Sequence, residues 1–329
     1  MVRPGRSVLI FMLLVFMLPL SDAATAKKPA IRFVEQGGVK YLYLRDIAAF
    51  YGMHYRPGVK EAVLRSRYST ITFTSQSREF TLNGVKVYAG FPLRKSGNEY
   101  LLASLDLSKI LDPIMRIGIL PRHRVRHIVI DPGHGGKDAG AICGAYREKD
   151  INLQVALRLG RQLQRQGYKV SYTRVKDVFV ALQARPQLAA RAKADLFISL
   201  HCNSAAASVS GIEVFAATPQ HMPATGASKA EKTACPSDQF SKENAYFSFY
   251  TQKHLLEKTC ATDRGVRRRR FCVIRELSCP GVLIEMGFIS NTAERTQLLQ
   301  AGRQQQIVDA IVESVNLYRN STAPLVPGK

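Results

Sequence analysis

The stretch Ile128-Val129-Ile130-Asp131-Pro132-Gly133-His134-Gly135-Gly136 decides how the rest of the chain is read. Three apolar residues run into Asp131, and a Pro-Gly turn then delivers His134 into a glycine-rich loop. A strand that stops at an exposed histidine fits the carboxyl edge of an α/β sheet, where clefts form. Three other stretches are built to meet it. Arg147-Glu148-Lys149-Asp150 opens a helical pattern, and Leu196 to Asn203 is a second apolar strand carrying His201 near its end. Val282 to Phe288 is an apolar strand with Glu285 in its middle.

Outward from that stretch, strand and helix alternate. Strands are expected at 127–131, 168–174, 195–201, 211–215, 271–275 and 281–288. Ile151, Val155, Leu159 and Leu163 recur at helical spacing and are stopped by Gly167. Residues 182–193 and 247–258 read as helices, and Ile307, Ile311, Val315 and Leu317 mark a last one. The pattern predicts an α/β fold, a twisted and largely parallel sheet with helices on both faces. Thr218 to Asn244, rich in Pro, Ser, Lys and Ala, breaks the rhythm as a long functional connection does. The loop after Asp131 lacks the third glycine of a dinucleotide fingerprint, Asp138 standing near its place, so a nucleotide cofactor is not expected.

At 329 residues the chain can hold one large domain and a smaller one. Residues 1–26 read as a signal peptide: Arg3 and Arg6, an apolar run from Val8 to Leu18, then Ala24-Thr25-Ala26. That run is short for a bilayer span, which favours cleavage over an anchor. The protein is therefore expected outside the cytoplasm, in a periplasm or extracellular envelope. The formal charge of +22 then points to anionic envelope polymers as partners rather than nucleic acid. Arg267 to Arg270 is the densest basic cluster, and it lacks the interleaved aromatics of a single-strand nucleic-acid groove. Six cysteines, none in a Cys-x-x-Cys pair, permit up to three disulfides after export. Cys202 follows His201 on a strand and is expected to face the opposite side as a small buried residue.

Residues 31–120 read as a small separate α+β domain. Asn83-Gly84 between Glu79–Leu82 and Val85–Tyr88 is a strong hairpin signal. The passage resembles the small domain named for the copper amine oxidase N-terminus, which implies an accessory, wall-positioning role without copper. Residues 126–320 remain for the chemistry.

A catalytic zinc site takes three protein ligands, commonly two His and a carboxylate, and leaves a position for water. His134, Glu148 and His201 meet that need if their strands are neighbours. Imidazole with carboxylate suits Zn2+ better than copper(I) or magnesium. Glu285 is costly to bury inside Val-Leu-Ile-Glu-Met unless it is paired or sits at a site. Beside a water it can take a proton and return it to a leaving nitrogen. The competing structural reading is a hydrogen-bonded His after a strand, a helix-start Glu at a dipole, and Glu285 paired with Arg275.

Together these motifs resemble the zinc-dependent N-acetylmuramoyl-L-alanine amidases of bacterial walls (amidase type 3). The resemblance runs from about His127 to Leu317. It is carried by IVIDPGHGGKDAGA, EKD, Asp177, Leu182-x-x-Arg185, ADLFISLHCNS, DRGVR, FCVIR and VLIEMGFISN followed by Glu294. It implies zinc on His134, Glu148 and His201, Glu285 as the catalytic carboxylate, and peptidoglycan as substrate. The implied reaction splits the amide between the lactyl group of N-acetylmuramic acid and L-alanine. Some relatives carry an inhibitory helix between the second His and the catalytic Glu, and the sequence leaves a protein activator open as a partner. The 218–244 interval here lacks a convincing amphipathic helix. Cys202, Ala190 and Cys272 depart from the usual residues without removing a ligand. Two other readings remain open on the residues: a zinc peptidase cutting within the stem peptide, and a non-catalytic wall-binding protein.

Overall fold

The computed structural model describes residues 30–324. The expected signal peptide at 1–26 lies outside the described residues. Among those residues no helix is long and apolar enough to cross a membrane.

The core of the fold is one long mixed sheet of eleven strands. Its first four strands, in spatial order, are Lys169–Tyr172, His127–Pro132, Leu196–Asn203 and Gly281–Phe288, all parallel. Ile212–Ala216 then joins antiparallel to Gly281–Phe288, and Asp263–Arg268 runs parallel to Ile212–Ala216. Helices Glu148–Arg165, Ser241–Thr259 and Ala301–Thr322 cover one face, burying Ile151, Val155, Leu159, Ile307 and Ile311 against Ile128, Ile130, Ile198 and Ile284. The other face packs on Ala184–Arg191 and the short Cys272–Arg275 helix through Ala189, Val273 and Ile274. Expected apolar positions thus become the core, and the four strands from Lys169–Tyr172 to Gly281–Phe288 are all parallel, with helices on both faces.

One strand was misplaced by the sequence. Phe271–Arg275 is not a strand: Cys272–Arg275 is a single helical turn that buries Val273 and Ile274. The strand lies just before it, at Asp263–Arg268, hidden by four charged residues in six. Those charges are absorbed locally. Arg264 and Arg267 pair with Glu213, and buried Arg268 donates to the Tyr88 carbonyl.

Residues 31–120 contribute strands to two sheets. A four-stranded antiparallel sheet, ordered Phe33–Gln36, Val39–Tyr43, Glu99–Ala103, Arg94–Ser96, is separate. Five further strands, from Val85–Tyr88 out to His54–Pro57, extend the long sheet through Val87 paired with Val266. The hairpin at Asn83-Gly84 forms as expected, both residues adopting positive φ of 50° and 84° between directly opposed Leu82 and Val85. The cause of the docking is shared burial: Met222, Phe249 and Val266 sit in the same hydrophobic cluster as Ile71, Phe73, Phe80 and Val87. The 218–244 stretch is a brace along this seam. Thr225 exchanges hydrogen bonds with Arg268, and Arg270 holds the Thr218 and Thr233 carbonyls. Within that stretch the helical segments are the short Pro236–Phe240 turn and the start of Ser241–Thr259.

All six cysteines are free thiols, so none of the permitted disulfides forms.

Candidate active site

The first parallel strands end together, and their carboxyl edge gathers the residues singled out in the sequence. His127–Pro132 delivers His134 through a turn in which Gly133 N bonds to Leu200 O at 3.0 Å. His134 itself has a positive φ of 60°, an uncommon conformation for a side-chain-bearing residue. Two buried arginines hold it there. Arg174 donates to the carbonyls of Pro132, Gly133 and Lys149 at 2.8–2.9 Å. Arg185 donates to the carbonyls of Pro132, His134 and Val180, and pairs at 2.7 Å with Asp131. Asp131 is wholly buried and also accepts from the hydroxyls of Thr173 and Ser199. Burial drives the Arg174 guanidinium below its ordinary range, partly offset by Asp131 and Asp177.

Glu148 opens its helix and turns back into the loop, its backbone N bonding to Ala141 O at 2.9 Å. Its Oε1 lies 3.2 Å from His134 Nε2 and 2.9 Å from His201 Nδ1, and it also accepts from Cys202 N at 3.1 Å. Oε2 accepts from Ala141 N. Burial pushes this carboxyl up, but hydrogen bonds from His134 and His201 and their charge outweigh it and hold the carboxyl well below the usual range. His134 Nδ1 is fixed 2.9 Å from Asp138 Oδ2, so Nε2 is the nitrogen left to face Glu148. The donor atoms of His134, Glu148 and His201 lie within 4.8 Å of one another, an arrangement able to hold a metal ion. Two glycines make room. A Cβ at Gly133 would sit 2.2–2.7 Å from the His201 ring, and one at Gly140 would meet Glu148 Oε2 at 2.6 Å.

Glu285 stands directly across from His201 in the strand register, on the same face, with Glu213 directly across on its other side. It is not paired with Arg275, which bonds to Glu276 at 2.6 Å instead. Glu285 Oε2 is buried without a hydrogen-bond partner among the described residues. Burial, then the nearby charges of Glu148 and Glu213, push this carboxyl well above the ordinary range. Cys202 faces the core as expected, and burial raises its thiol far above the usual value, which disqualifies it as a ligand or nucleophile.

Sequence reasoning missed the residues that steady this cluster. Asp138 carries a detectable signal, an acid four residues after His134 in a glycine-rich loop. Asn152 lies four residues after Glu148 on the same helix and donates to its Oε1 and to the Gly133 carbonyl, whereas Glu213 carries no signal because its partner Asn203 is on another strand.

Parallel strands with a His/Glu/His cluster at their carboxyl edge, and a buried, unpartnered carboxylate beside it, define the hydrolase class to which the chain conforms. The model for N-acetylmuramoyl-L-alanine amidase matches residues 128–316. The uncharacterised YqiI of Bacillus subtilis is 34% identical over 191 residues, covering 58% of this chain and 84% of that protein. The Escherichia coli N-acetylmuramoyl-L-alanine amidase AmiC is 31% identical over 243 residues, and the match spans 58% of its length. Among solved structures, the N-acetylmuramoyl-L-alanine amidase of Clostridium difficile 630 superposes with a TM-score of 0.52 at 28% identity, covering 61% of this chain and all of that one.

The chain belongs to the N-acetylmuramoyl-L-alanine amidase family, and it is a hydrolase of peptidoglycan.

Proposed function

We propose that the chain is an exported zinc amidase in which His134, Glu148 and His201 hold the ion and Glu285 moves the proton. Residues 126–320 carry the catalysis, 31–120 serve as an accessory wall-positioning unit, and 1–26 direct export. The reading rests chiefly on one observation: the three donors converge, and the unpartnered Oε2 of Glu285 is on the strand beside them. The fit to zinc is chemical and metric. Two imidazoles and a carboxylate are its common catalytic donor set, and ligands of a tetrahedral zinc lie roughly 3.3 Å apart. Glu148 Oε1 lies 3.2 and 2.9 Å from the two imidazole nitrogens, and all three donors fall within 4.8 Å of one another.

Bound zinc would polarise the scissile carbonyl and activate a water near neutral pH. The protein supplies the rest. Asp138 fixes the ring of His134 through Nδ1, so that Nε2 is presented. Backbone donors from Ala141 and Cys202 aim the Glu148 carboxylate. Glu285 Oε2 accepts the proton released as water attacks and returns it to the nitrogen of the departing L-alanine. Its raised affinity for protons suits it to both halves of that exchange.

The test is product mass spectrometry on purified peptidoglycan, with and without a zinc chelator. Wild type should release peptides with a free N-terminal L-alanine and leave intact muramic acid on the glycan. Glu285→Gln should lose about 10²–10⁴-fold in rate while still binding zinc. Products cut within the stem peptide, or a fully active Glu285→Gln, would overturn the assignment.

A further inference from the structure

Away from the metal cluster, the seam between the N-terminal strands and the long sheet holds an open cleft of about 490 Å³. Its walls include Arg78 and Tyr88 from the N-terminal strands, Arg267 from Asp263–Arg268, and Ser228 from the 218–244 brace. Arg267 lies over the Tyr88 ring at 4.9 Å, and its Nε donates to the Arg264 carbonyl at 3.1 Å and forms an ion pair with Glu213 Oε2 at 2.9 Å. Its two terminal nitrogens have no hydrogen-bond partner among the described residues. Arg78 donates only through Nη1, to the carbonyls of Ala227 and Ala224. The acid in the wall, Glu79, is matched by Lys86 at 3.4 Å. The cleft therefore presents two guanidiniums with spare donors beside an aromatic wall, a site suited to a carboxylate.

The sheet connects this cleft to the chemistry. His201, Glu285 and Glu213 are direct cross-strand neighbours, and Arg267 reaches Glu213 from the next strand. Three strand spacings separate the His201 strand from the Arg267 strand, and Arg267 stands two residues along from Gly265, the residue opposite Glu213. The span is therefore about 16 Å, at ~4.8 Å per strand and ~3.3 Å per residue. An extended peptide of four residues spans nearly that distance, at ~3.3–3.6 Å per residue. A peptide held to a sugar through its N-terminal amide presents its C-terminal carboxylate at the far end unless that end is itself amidated or cross-linked.

We infer that the cleft lined by Arg78, Tyr88 and Arg267 receives the carboxylate end of the peptide limb that the amidase site releases. This rests on the amidase reading of the His134–Glu148–His201 site. It gives the N-terminal strands a part in choosing the substrate, since Arg78 and Tyr88 come from them and Arg267 does not.

Three muramyl substrates test the inference: one with a four-residue peptide ending in a carboxylate, the same peptide ending in a carboxamide, and one with L-alanine alone. Wild type should favour the acid over the amide by about five-fold in kcat/KM, carried by KM, as expected for a partly exposed charge-assisted contact. In Arg78→Ala that ratio should fall to about one. Loss of the Arg78–Ala227 contact could loosen the brace, so Ser228→Asp is the second variant. Ser228 is exposed, and an added carboxylate there should invert the preference toward the amide. No acid preference in wild type, or variants that slow acid and amide substrates by one common factor, would overturn the inference. Cleavage of the L-alanine substrate reports separately on the amidase reading. Calorimetric binding of the free four-residue peptide, acid against amide, needs no turnover. Equal affinity of the two forms there would refute the cleft even in a protein that hydrolyses nothing.

Discussion

Replacing Arg185 by methionine isolates the device that holds the His134 turn. Arg185 is almost wholly buried, and so is its partner Asp131. Methionine keeps much of the side-chain volume but removes every donor. Asp131 then retains the hydroxyls of Thr173 and Ser199 and loses its counter-charge. Breaking a buried pair on one side costs about 3–5 kcal/mol, because it strands the remaining charge. The carbonyls of His134 and Val180 also lose their donor, so the upper part of that range is expected. For a urea m-value near ~3 kcal/mol/M the midpoint should drop by about 1.3–1.7 M with m unchanged. Adding Asp131→Asn removes the stranded charge. The double variant should therefore recover about 1–3 kcal/mol relative to the sum of the singles. Zinc affinity, measured by competition with a chromogenic chelator, should fall about 10–100-fold in Arg185→Met, since the His134 turn is no longer held. A loss below about 1 kcal/mol, or strict additivity in the double variant, would refute the assignment of Arg185 as the clamp.

Other outcomes follow from single residues. Gly133→Ala places a Cβ within 2.2–2.7 Å of the His201 ring, so zinc affinity should fall steeply while circular dichroism stays native; unaltered affinity would mean that the turn relaxes freely. Asp106 is wholly buried, accepts from Gly90 N and Phe91 N, and burial pushes its carboxyl up to about 6 from 3.8. A raised folded value means the folded chain binds the proton more tightly. Stability from this group is then complete below about pH 4 and lost as pH climbs through about 6, a drop of roughly 3 kcal/mol. Asp106→Asn should flatten that part of the urea-midpoint profile, and parallel profiles would show that Asp106 stays charged in the fold. Finally, with all six thiols free, the melting temperature should not change on adding a reductant; a fall of several degrees would reveal a disulfide.

Much of this is legible in the sequence, for definable reasons. His134, Glu148 and His201 each sit where a regular pattern ends: an apolar strand, a helix start, an apolar strand. Pattern ends are what periodicity marks. The strand Asp263–Arg268 was not legible, because alternation is masked when polar residues are buried by pairing rather than by apolarity. Gly265 and Val266 are buried there, and so is Arg268. The apolar run that follows it looked more like a strand and is a helical turn. The joining of the N-terminal strands to the long sheet was equally hidden. It depends on Met222, Phe249 and Val266, single residues drawn from three separate segments, and no local pattern announces a contact of that kind.

The chemistry depends most on strand register, and sequence composition explains how that register is set. Gly281–Phe288 pairs with Leu196–Asn203 from Phe197 opposite Gly281 to His201 opposite Glu285. Along the first strand Val282, Ile284 and Met286 fill the helix-covered side, and along the second Ile198, Leu200 and Cys202 do the same. A slip of one residue would turn Glu285 into that core and bring Ile284 or Met286 opposite His201. The free energy opposing the slip is the burial of three large apolar side chains, each contributing about 1.5–3 kcal/mol, together with the cost of an unpaired carboxylate in the core. The apolar residues flanking Glu285 are therefore what place its carboxylate beside His201, even though none of them touches the reaction.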